Sequence, residues 1–215
     1  MVSRTITIAD YGVGNLFSVR SALEHCGATP VMATTYEEVL AADRLLLPGV
    51  GAFGDAMEGM RRTGMLDAVS DFAAKERPLL GICLGMQMLL SDSVEFGMNQ
   101  GLGLIPGHVV SIPDTGIDGI PHRIPHAGWG PIFSSGTNTD WGSSLLEGIA
   151  QNTAFYFVHS FHSVTDDPSH LIANCDYDGQ AIGAVVQNGS VFGCQFHPEK
   201  SAEAGLSVIK NFLSL

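Results

Sequence analysis

The first half of the 215-residue chain alternates short apolar runs with patterns of helical spacing. The apolar runs at 5–9, 29–33, 44–47 and 79–82 are typical of strands buried on both faces. Leu16, Val19 and Leu23 recur at helical spacing, with Gly27 as a left-handed cap. Residues 64–75 and 84–90 continue the alternation. This order predicts a parallel sheet covered by helices on both faces.

The second half contains shorter segments that are joined by turn signals. Residues 102–112, 154–159, 171–175, 180–187 and 191–195 read as strands, and 201–213 reads as a C-terminal helix. The segment 113–139 is rich in Pro, Gly and Ser, so we expect a long surface loop there. The predicted fold class is α/β, with a mostly parallel central sheet flanked by helices and an added antiparallel portion. We expect residues 1–215 to form one domain.

The composition argues against several classes of partner and bound group. The net charge is −12 and no basic run occurs, which argues against nucleic acid or an anionic membrane surface as a partner. We find no apolar stretch long enough for a signal peptide or a membrane span, and we expect a cytoplasmic protein. The four cysteines form no CxxC pair, so neither a zinc site nor a disulfide scaffold is predicted.

Histidine spacing gives no support for a bound metal. His122 and His126 lack a nearby carboxylate or cysteine. His159 and His162 are an odd number of residues apart on an expected strand, so their side chains should point to opposite faces. We therefore predict no metal and no cofactor.

The segment 49–54, GVGAFG, matches the dinucleotide fingerprint G-x-G-x-x-G. The match is weak, because it follows the third strand and lacks a ribose-binding acid after the next strand. A Gly-rich turn has another use, since its backbone N–H groups can face a developing negative charge.

The segment 81–87, GICLGMQ, places Cys83 between two glycines where a strand turns into a helix. Free cysteine is often a small buried hydrophobe, so Cys83 alone is ambiguous. Strand, G-x-C-x-G and helix together are typical of a nucleophile elbow. The tight turn lifts the side chain above the sheet edge, and the helix N-terminus favours the thiolate. The N–H of Leu84 is then available to an oxyanion.

A thiolate nucleophile needs an acid and base partner, and His197 is the best candidate. It ends the last strand, in FGCQFHPEKS, and Glu199 follows two residues later. We expect extended geometry to put both side chains on one side. A histidine held by a carboxylate and facing a cysteine is the arrangement for covalent acyl transfer. A surface histidine in a polar turn is the alternative.

The segments GICLGMQ and FHPEKS resemble the class I, triad type, glutamine amidotransferase family. DYGVGNL, PGVGAFGDAM, PHAGWG and YFVHSFH, in this order, are similar to its branch of glutaminase subunits of imidazole glycerol phosphate synthase. The resemblance spans nearly the whole chain and implies a catalytic triad of Cys83, His197 and Glu199. It implies an oxyanion site at Val50, Gly51 and Leu84, and a glutamine pocket lined by Gln87, Glu95, Ser160 and Phe161.

The resemblance also implies a partner and a coupled reaction. Glutamine would be hydrolysed through a cysteine thioester, and its ammonia would pass along a protected path to a (β/α)8-barrel cyclase subunit. That subunit would make imidazole glycerol phosphate and an aminoimidazole carboxamide ribotide in histidine biosynthesis. The positions that would lie at or near the interface are Asn15, Pro125, His126, Trp129 and Lys200.

Two segments depart from the family pattern. The interface loop reads PHAGWG, with Ala127 and Gly130 where the family commonly has Met and Asn. The segment HSFH carries Phe161 in place of a tyrosine. Three other functions stay open: a paralogous glutaminase that feeds a different amidating synthase, a cysteine hydrolase of another class, and a non-catalytic interaction module. Trp129 can equally be a loop anchor that packs on its own domain.

Overall fold

Thirteen strands are assigned in the computed structural model, which describes residues 5–12, 16–136, 141–142 and 144–215. In chain order they are β1 (Thr5–Ala9), β2 (Thr29–Ala33), β3 (Leu45–Gly49), β4 (Leu79–Cys83), β5 (Asp92–Ser93), β6 (Asn99–Gln100), β7 (Gly107–Ser111), β8 (His126–Ser134), β9 (Ala154–His159), β10 (Phe161–Thr165), β11 (Leu171–Tyr177), β12 (Gln180–Asn188) and β13 (Val191–Cys194).

Six α-helices are assigned in the same residues: α1 (Leu16–His25), α2 (Tyr36–Leu40), α3 (Phe53–Thr63), α4 (Met65–Ala73), α5 (Leu84–Met88) and α6 (Ala202–Ser214). Two short 3-10 turns, Pro168–His170 and Pro198–Lys200, complete the set. Helix α2 begins with a capping box in which the Thr35 hydroxyl accepts from the Glu38 N–H and the Glu38 carboxylate accepts from the Thr35 N–H.

A nine-stranded sheet has the order β2-β1-β3-β4-β13-β12-β11-β8-β9. The first five strands in this order are parallel, and the other four pair antiparallel. Strands β4 and β13 are therefore neighbours that end at the same edge, and Cys194 is the register partner of Ile82. This pairing brings the residues after β4 next to the residues after β13, although more than a hundred positions separate them.

The parallel strands bury alternate side chains in two different core clusters. Leu45 and Leu47 of β3 pack with α3 and α4, whereas Leu46 packs on the opposite face with α1 and α6. This period of two is the expected behaviour of a strand covered on both faces. The two faces explain why these strands read as continuous apolar runs.

A second, four-stranded sheet has the order β10-β7-β5-β6. Strand β10 follows β9 after a single residue, Ser160, so the chain passes from the large sheet to the small one at this point. The hairpin turns at Asp178-Gly179 and Gly189 have positive φ angles, as the sequence signals predict.

The predicted α/β class is confirmed, as are the first, second and fourth strands and the C-terminal helix to within one residue. The third strand is shifted, since it covers Leu45–Gly49. The expected strand over 102–112 is too long, because only Gly107–Ser111 pairs in a ladder. Helices α2 and α3 were not predicted from the sequence; α2 has only 5 residues, and α3 follows the glycine-rich segment 49–54.

The prediction of a long surface loop over 113–139 is wrong for residues 126–134, which form β8. Proline and glycine in this segment suggest a loop, but Gly128 and Gly130 are ladder positions opposite Phe157 and Phe155. Hydrogen-bonded pairing with β9 and β11 makes this segment a strand, although its local composition favours a loop. Across the described ranges, none of the helices combines the length and apolar character needed to cross a membrane.

Candidate active site

Cys83 joins β4 to α5 with a φ of 55° and a ψ of −112°, a backbone conformation that L-residues rarely adopt. The flanking glycines permit this turn. A Cβ on Gly81 would lie 2.6 Å from the carbonyl oxygen of Gly85, and a Cβ on Gly85 would lie 1.9 Å from the carbonyl oxygen of Leu47. The predicted elbow is therefore present, and its glycines are sterically required.

The end of β3 lies directly beside the cysteine. Gly49 is the register partner of Cys83, and a Cβ on Gly49 would lie 2.6 Å from the Gly85 nitrogen. The buried Tyr11 hydroxyl donates to the Pro48 carbonyl oxygen at 2.7 Å. These contacts hold the start of the Gly-rich turn beside Cys83.

His197 and Glu199 form a buried pair, with 2.8 Å between Nδ1 and Oε1 and side-chain exposures of 6% and 1%. The reason for the pairing differs from the prediction. Strand β13 ends at Cys194, and Glu199 lies in the 3-10 turn Pro198–Lys200, so a tight turn brings the two side chains together and not an extended backbone. Pro198 occupies the first position of that turn, where its fixed φ is favourable.

The backbone of His197 is anchored to β9. Its N–H donates to the Tyr156 carbonyl at 2.9 Å, and its carbonyl accepts from the Ser201 hydroxyl at 2.7 Å. The Ser201 oxygen in turn accepts from the Tyr156 N–H at 2.9 Å. Ser201 was not predicted from the sequence as a site residue, and it fixes the histidine's position on the sheet.

The protonation of His197 follows from its partners. Burial lowers its pKa, but hydrogen bonds with Cys83 and Glu199 and their negative charges outweigh burial and raise the pKa to about 9. Within the described residues the second oxygen of Glu199 is buried and accepts no hydrogen bond. The geometry therefore favours an imidazolium held between the Cys83 sulfur and the Glu199 carboxylate.

A cavity of about 350 Å³ opens over Cys83. Its wall contains both His197 and Cys83 and every residue predicted for the oxyanion site and the glutamine pocket: Val50, Gly51, Leu84, Gln87, Glu95, Ser160 and Phe161. Three more residues line it: Pro125, Val158 and His159. One cavity thus brings together the candidate nucleophile, the candidate acid and base, and the predicted pocket residues.

Two of the pocket residues have fixed partners. The amide nitrogen of Gln87 donates to the Phe161 carbonyl at 2.9 Å and to Gln195 Oε1 at 3.0 Å. The carboxylate of Glu95 accepts from the N–H of Phe53, the first residue of α3, at 2.6 Å. Glu95 therefore links the pocket mouth to that helix.

Sequence reasoning missed Gln195 and the role of His159. The Gln195 amide nitrogen lies 3.7 Å from Cys83 Sγ, and the residue has no exposed surface. The signal was a glutamine inside the apolar run VFGCQF, because a buried amide requires hydrogen-bond partners. His159 belongs to β9, whereas His162 belongs to β10 of the other sheet, so the prediction of one common strand is wrong.

The predicted interface positions differ in exposure. Pro125 and Lys200 are exposed, and 56% of Trp129 is exposed although it packs edge-on against Tyr156. His126 is only 4% exposed, so it lies beneath that surface and not on it. Asn15 lies outside the described residues. Gly130 has a structural explanation, since a Cβ there would be 2.5 Å from Cys175 Sγ.

The chain matches the family described as "Glutamine amidotransferase class-I" over residues 7–215. The chain belongs to this family. Among the described residues of this class-I glutamine amidotransferase, no group of three or more His, Cys, Asp or Glu side chains has a geometry that could hold a metal ion.

Curated relatives of this class-I amidotransferase are similar over nearly their full length. It is 49% identical over 211 residues to the imidazole glycerol phosphate synthase subunit HisH 1 of Legionella pneumophila (strain Lens), covering 98% of this chain and 99% of the relative. It is 42% identical over 210 residues to the subunit HisH of Geobacillus sp. (strain WCH70), covering 98% and 96%.

Solved structures share the fold of this amidotransferase. The structure of PurLQS from Thermotoga maritima superposes with a TM-score of 0.72 at 20% identity, covering all of this chain and 99% of the other. A crystal structure of a glutamine amidotransferase gives a TM-score of 0.68 at 17% identity, covering 98% and 99%. At these identities the likeness concerns the fold.

Proposed function

We propose that the chain is the glutaminase subunit of an imidazole glycerol phosphate synthase. It hydrolyses glutamine to glutamate and ammonia and passes the ammonia to a (β/α)8-barrel cyclase subunit. The observation that carries this proposal is the cavity in which a strained Cys83 and a carboxylate-bound His197 meet. Support for the pathway comes from relatives at 42–49% identity that are named as HisH subunits.

The first half of the reaction forms a thioester. The Cys83 thiolate attacks the side-chain amide carbon of glutamine, and the carbonyl oxygen becomes an oxyanion. We propose that the backbone N–H groups of Val50, Gly51 and Leu84 stabilise that charge. The His197 imidazolium then donates its proton to the leaving nitrogen, and ammonia departs from the tetrahedral intermediate.

The second half releases glutamate. Neutral His197 takes a proton from a water molecule, which attacks the thioester carbon, and collapse of the new intermediate expels the Cys83 sulfur. Glu199 orients the ring through Nδ1 and stabilises the imidazolium that is present at the start of the first half-reaction and forms again in the second. The hydrogen bond of 2.8 Å between the two residues supports this role.

The substrate glutamine would lie in the cavity that opens over Cys83. We propose that Gln87, Glu95 and the backbone of Ser160 and Phe161 bind the glutamine, because all four line the wall around Cys83. Glu95 supplies a negative charge, which suits the α-ammonium group of an amino acid. Val50 and Gly51 line the same cavity.

The partner would dock on the edge that carries Pro125, Trp129 and Lys200, with Asn15 nearby in the sequence-based prediction. Half-exposed aromatic side chains such as that of Trp129 are typical of interface anchors. Ammonia would then pass to the cyclase through a protected channel in the heterodimer. We also propose that residues 1–215 act as one domain, and that the protein works in the cytoplasm, where its four free cysteines stay reduced.

A cysteine substitution tests the proposal directly. In a complex of the chain with a candidate cyclase, Cys83→Ala should abolish synthesis with glutamine as the nitrogen donor. Synthesis with added ammonia should continue at the wild-type rate, because the cyclase chemistry does not use the cysteine. Loss of both activities in a properly assembled complex would contradict the assigned role.

A paralogous glutaminase that feeds a different amidating synthase is the second candidate. The observation that favours it is the departure from the family pattern at Ala127 and Gly130, of which Ala127 is exposed on β8. Stimulation of glutamine hydrolysis by the cyclase and its acceptor separates the two candidates. Strong stimulation supports the histidine pathway, and none supports the paralogue.

A further inference from the structure

A continuous row of hydrogen bonds connects the nucleophile to the inner face of β8. It begins at Cys83 Sγ, which lies 3.7 Å from the Gln195 amide nitrogen, and Gln195 Oε1 accepts from Gln87 at 3.0 Å. The Phe161 carbonyl accepts from Gln87 at 2.9 Å and lies 2.8 Å from His159 Nδ1. His159 Nε2 lies 3.3 Å from His126 Nδ1. We call these groups the buried relay: Cys83, Gln195, Gln87, the Phe161 carbonyl, His159 and His126.

The Phe161 carbonyl determines the direction of the bonds at the histidine end. A carbonyl oxygen only accepts, so His159 carries its proton on Nδ1. Its Nε2 then has a lone pair and accepts from the Nδ1–H of His126. The tautomers of both rings are therefore set by one backbone oxygen.

The same oxygen determines the direction at the cysteine end. Because it accepts from Gln87, the amide of Gln87 must present nitrogen and not oxygen, and its second N–H reaches Gln195. Gln195 must then present Oε1 to Gln87, which leaves its own N–H groups facing Cys83 Sγ. If either amide were turned around, two donors or two acceptors would face each other. Each amide therefore has only one orientation that satisfies its partners.

Burial makes this order costly to break. Gln195 has no exposed surface, and Gln87, His126 and His159 are each at most 6% exposed. An unpaired amide or imidazole in such a place loses hydrogen bonds to water without replacement. The relay is thus held as one unit.

We propose that Gln195 is a positioning residue for the Cys83 thiolate, and that the buried relay ties that thiolate to strand β8, which carries the predicted interface residue Trp129. This inference rests on the proposed function. The Gln195 N–H stabilises negative charge on sulfur and aims Sγ at the substrate carbon. His126 and Trp129 belong to the same strand, so a displacement of β8 by a docked partner acts on the His159 ring and on the Phe161 carbonyl of the pocket.

Alkylation of Cys83 in the full-length chain measures the thiolate without substrate. The probe is iodoacetamide over a range of pH, with mass spectrometry of the Cys83 peptide. Gln195→Met keeps the buried volume but removes the donor, so alkylation at pH 7 should slow about tenfold, with its midpoint about one pH unit higher. Partly exposed Cys26 is the internal reference and should react as in the wild type.

Two histidine variants test the far end of the relay. His159→Phe should slow Cys83 alkylation in the same direction by about two- to threefold, since Phe161 and Gln87 lose one anchor. His162→Phe is the matched control, because His162 is buried to a similar extent but its ring accepts a hydrogen bond from the Gly183 N–H and forms none with the relay groups among the described residues. Equal slowing in both variants would overturn the relay.

The alkylation result and the proposed function can fail separately. A wild-type alkylation profile in folded Gln195→Met overturns the relay even when the complex hydrolyses glutamine. Absence of glutamine hydrolysis by the wild-type complex overturns the function, whatever the alkylation profile. If Gln195→Met does not fold, Gln195→Asn replaces it, because the shorter amide keeps the polarity but cannot span both Gln87 and Cys83.

Discussion

Two buried histidine sites lie side by side in this protein and have opposite protonation. His197 and His159 are 5% and 6% exposed, yet the pKa of His197 is raised to about 9 and that of His159 is lowered to about 3. Burial acts on both rings in the same direction. The difference lies in what each ring faces.

His197 faces the sulfur of Cys83 and the carboxylate of Glu199, and negative charge on these two groups favours an imidazolium. His159 faces a backbone carbonyl and a second histidine, His126, whose pKa burial also lowers, to about 4. The charged site suits proton transfer, and the neutral site suits a fixed hydrogen-bond order. The comparison shows that burial keeps a histidine neutral here unless negative neighbours outweigh it, as they do at His197.

Glu199→Gln should have the largest effect on the difference in pKa between His197 and His159. Loss of the carboxylate lowers the pKa of His197 and lets the new amide oppose the required tautomer, so His197 comes to resemble His159. We expect glutamine hydrolysis by the complex to fall by up to about 10⁴-fold, the size of the loss when a triad carboxylate is replaced by its amide. Ammonia-dependent synthesis is the control, and an unchanged hydrolysis rate would show that Glu199 has no such role.

The neutral pair should make the protein sensitive to acid. Since the folded pKa values of His126 and His159 lie below the unfolded value of about 6.5, the unfolded chain binds more protons as the pH falls from 6.5 towards 4. The contribution of His126 and His159 to the free energy of unfolding is present above pH 6.5 and is lost as the pH falls from 6.5 towards 4. His159→Phe should therefore show a shallower decrease of Tm with acid than the wild type. Parallel curves would contradict this.

The sign reverses for His197, which sharpens the comparison. Its raised pKa means that its contribution to stability is complete below pH 6.5 and is lost as the pH rises through about 9. Glu199→Gln should flatten the alkaline side of the Tm curve and leave the acid side as in the wild type. Flattening on the acid side alone would mean that His197 is not the histidine whose pKa is raised.

Tyr177→Leu should have the smallest effect. The Tyr177 ring stacks on His126 with 4.1 Å between ring centres, and its hydroxyl donates to the Arg123 carbonyl. Removing this cover exposes His126, so its pKa should rise towards the ordinary value, and Tm should fall by a few degrees. Proton NMR of the His126 ring measures the first effect and a melting curve the second. An unchanged His126 titration would mean that other groups keep the ring buried.

The residues proposed for catalysis were predictable because each has a local signature. Gly81 and Gly85 around Cys83 reflect a turn in which a Cβ has no space, and Pro198 marks the end of the chain segment that carries His197. The parallel strands were predictable for a similar reason, since their burial on both faces leaves a continuous apolar run.

Strand β8 and Gln195 were not predictable in the same way. The proline- and glycine-rich pattern of 126–134 favours a loop, and only pairing with β9 and β11 makes it a strand. Gln195 is one polar residue in an apolar run, and its partners Gln87 and Cys83 come from a helix and a turn about 110 positions earlier.

The amino-acid sequence by itself determined the α/β order of elements, the strained turn at Cys83 and the pairing of a histidine with a nearby carboxylate, because each depends on interactions between residues close in the chain. The tertiary structure alone decided which histidine is charged and which is neutral, and how a buried amide reaches the nucleophile. Those properties depend on charges and hydrogen-bond partners from distant strands, and no local pattern records them.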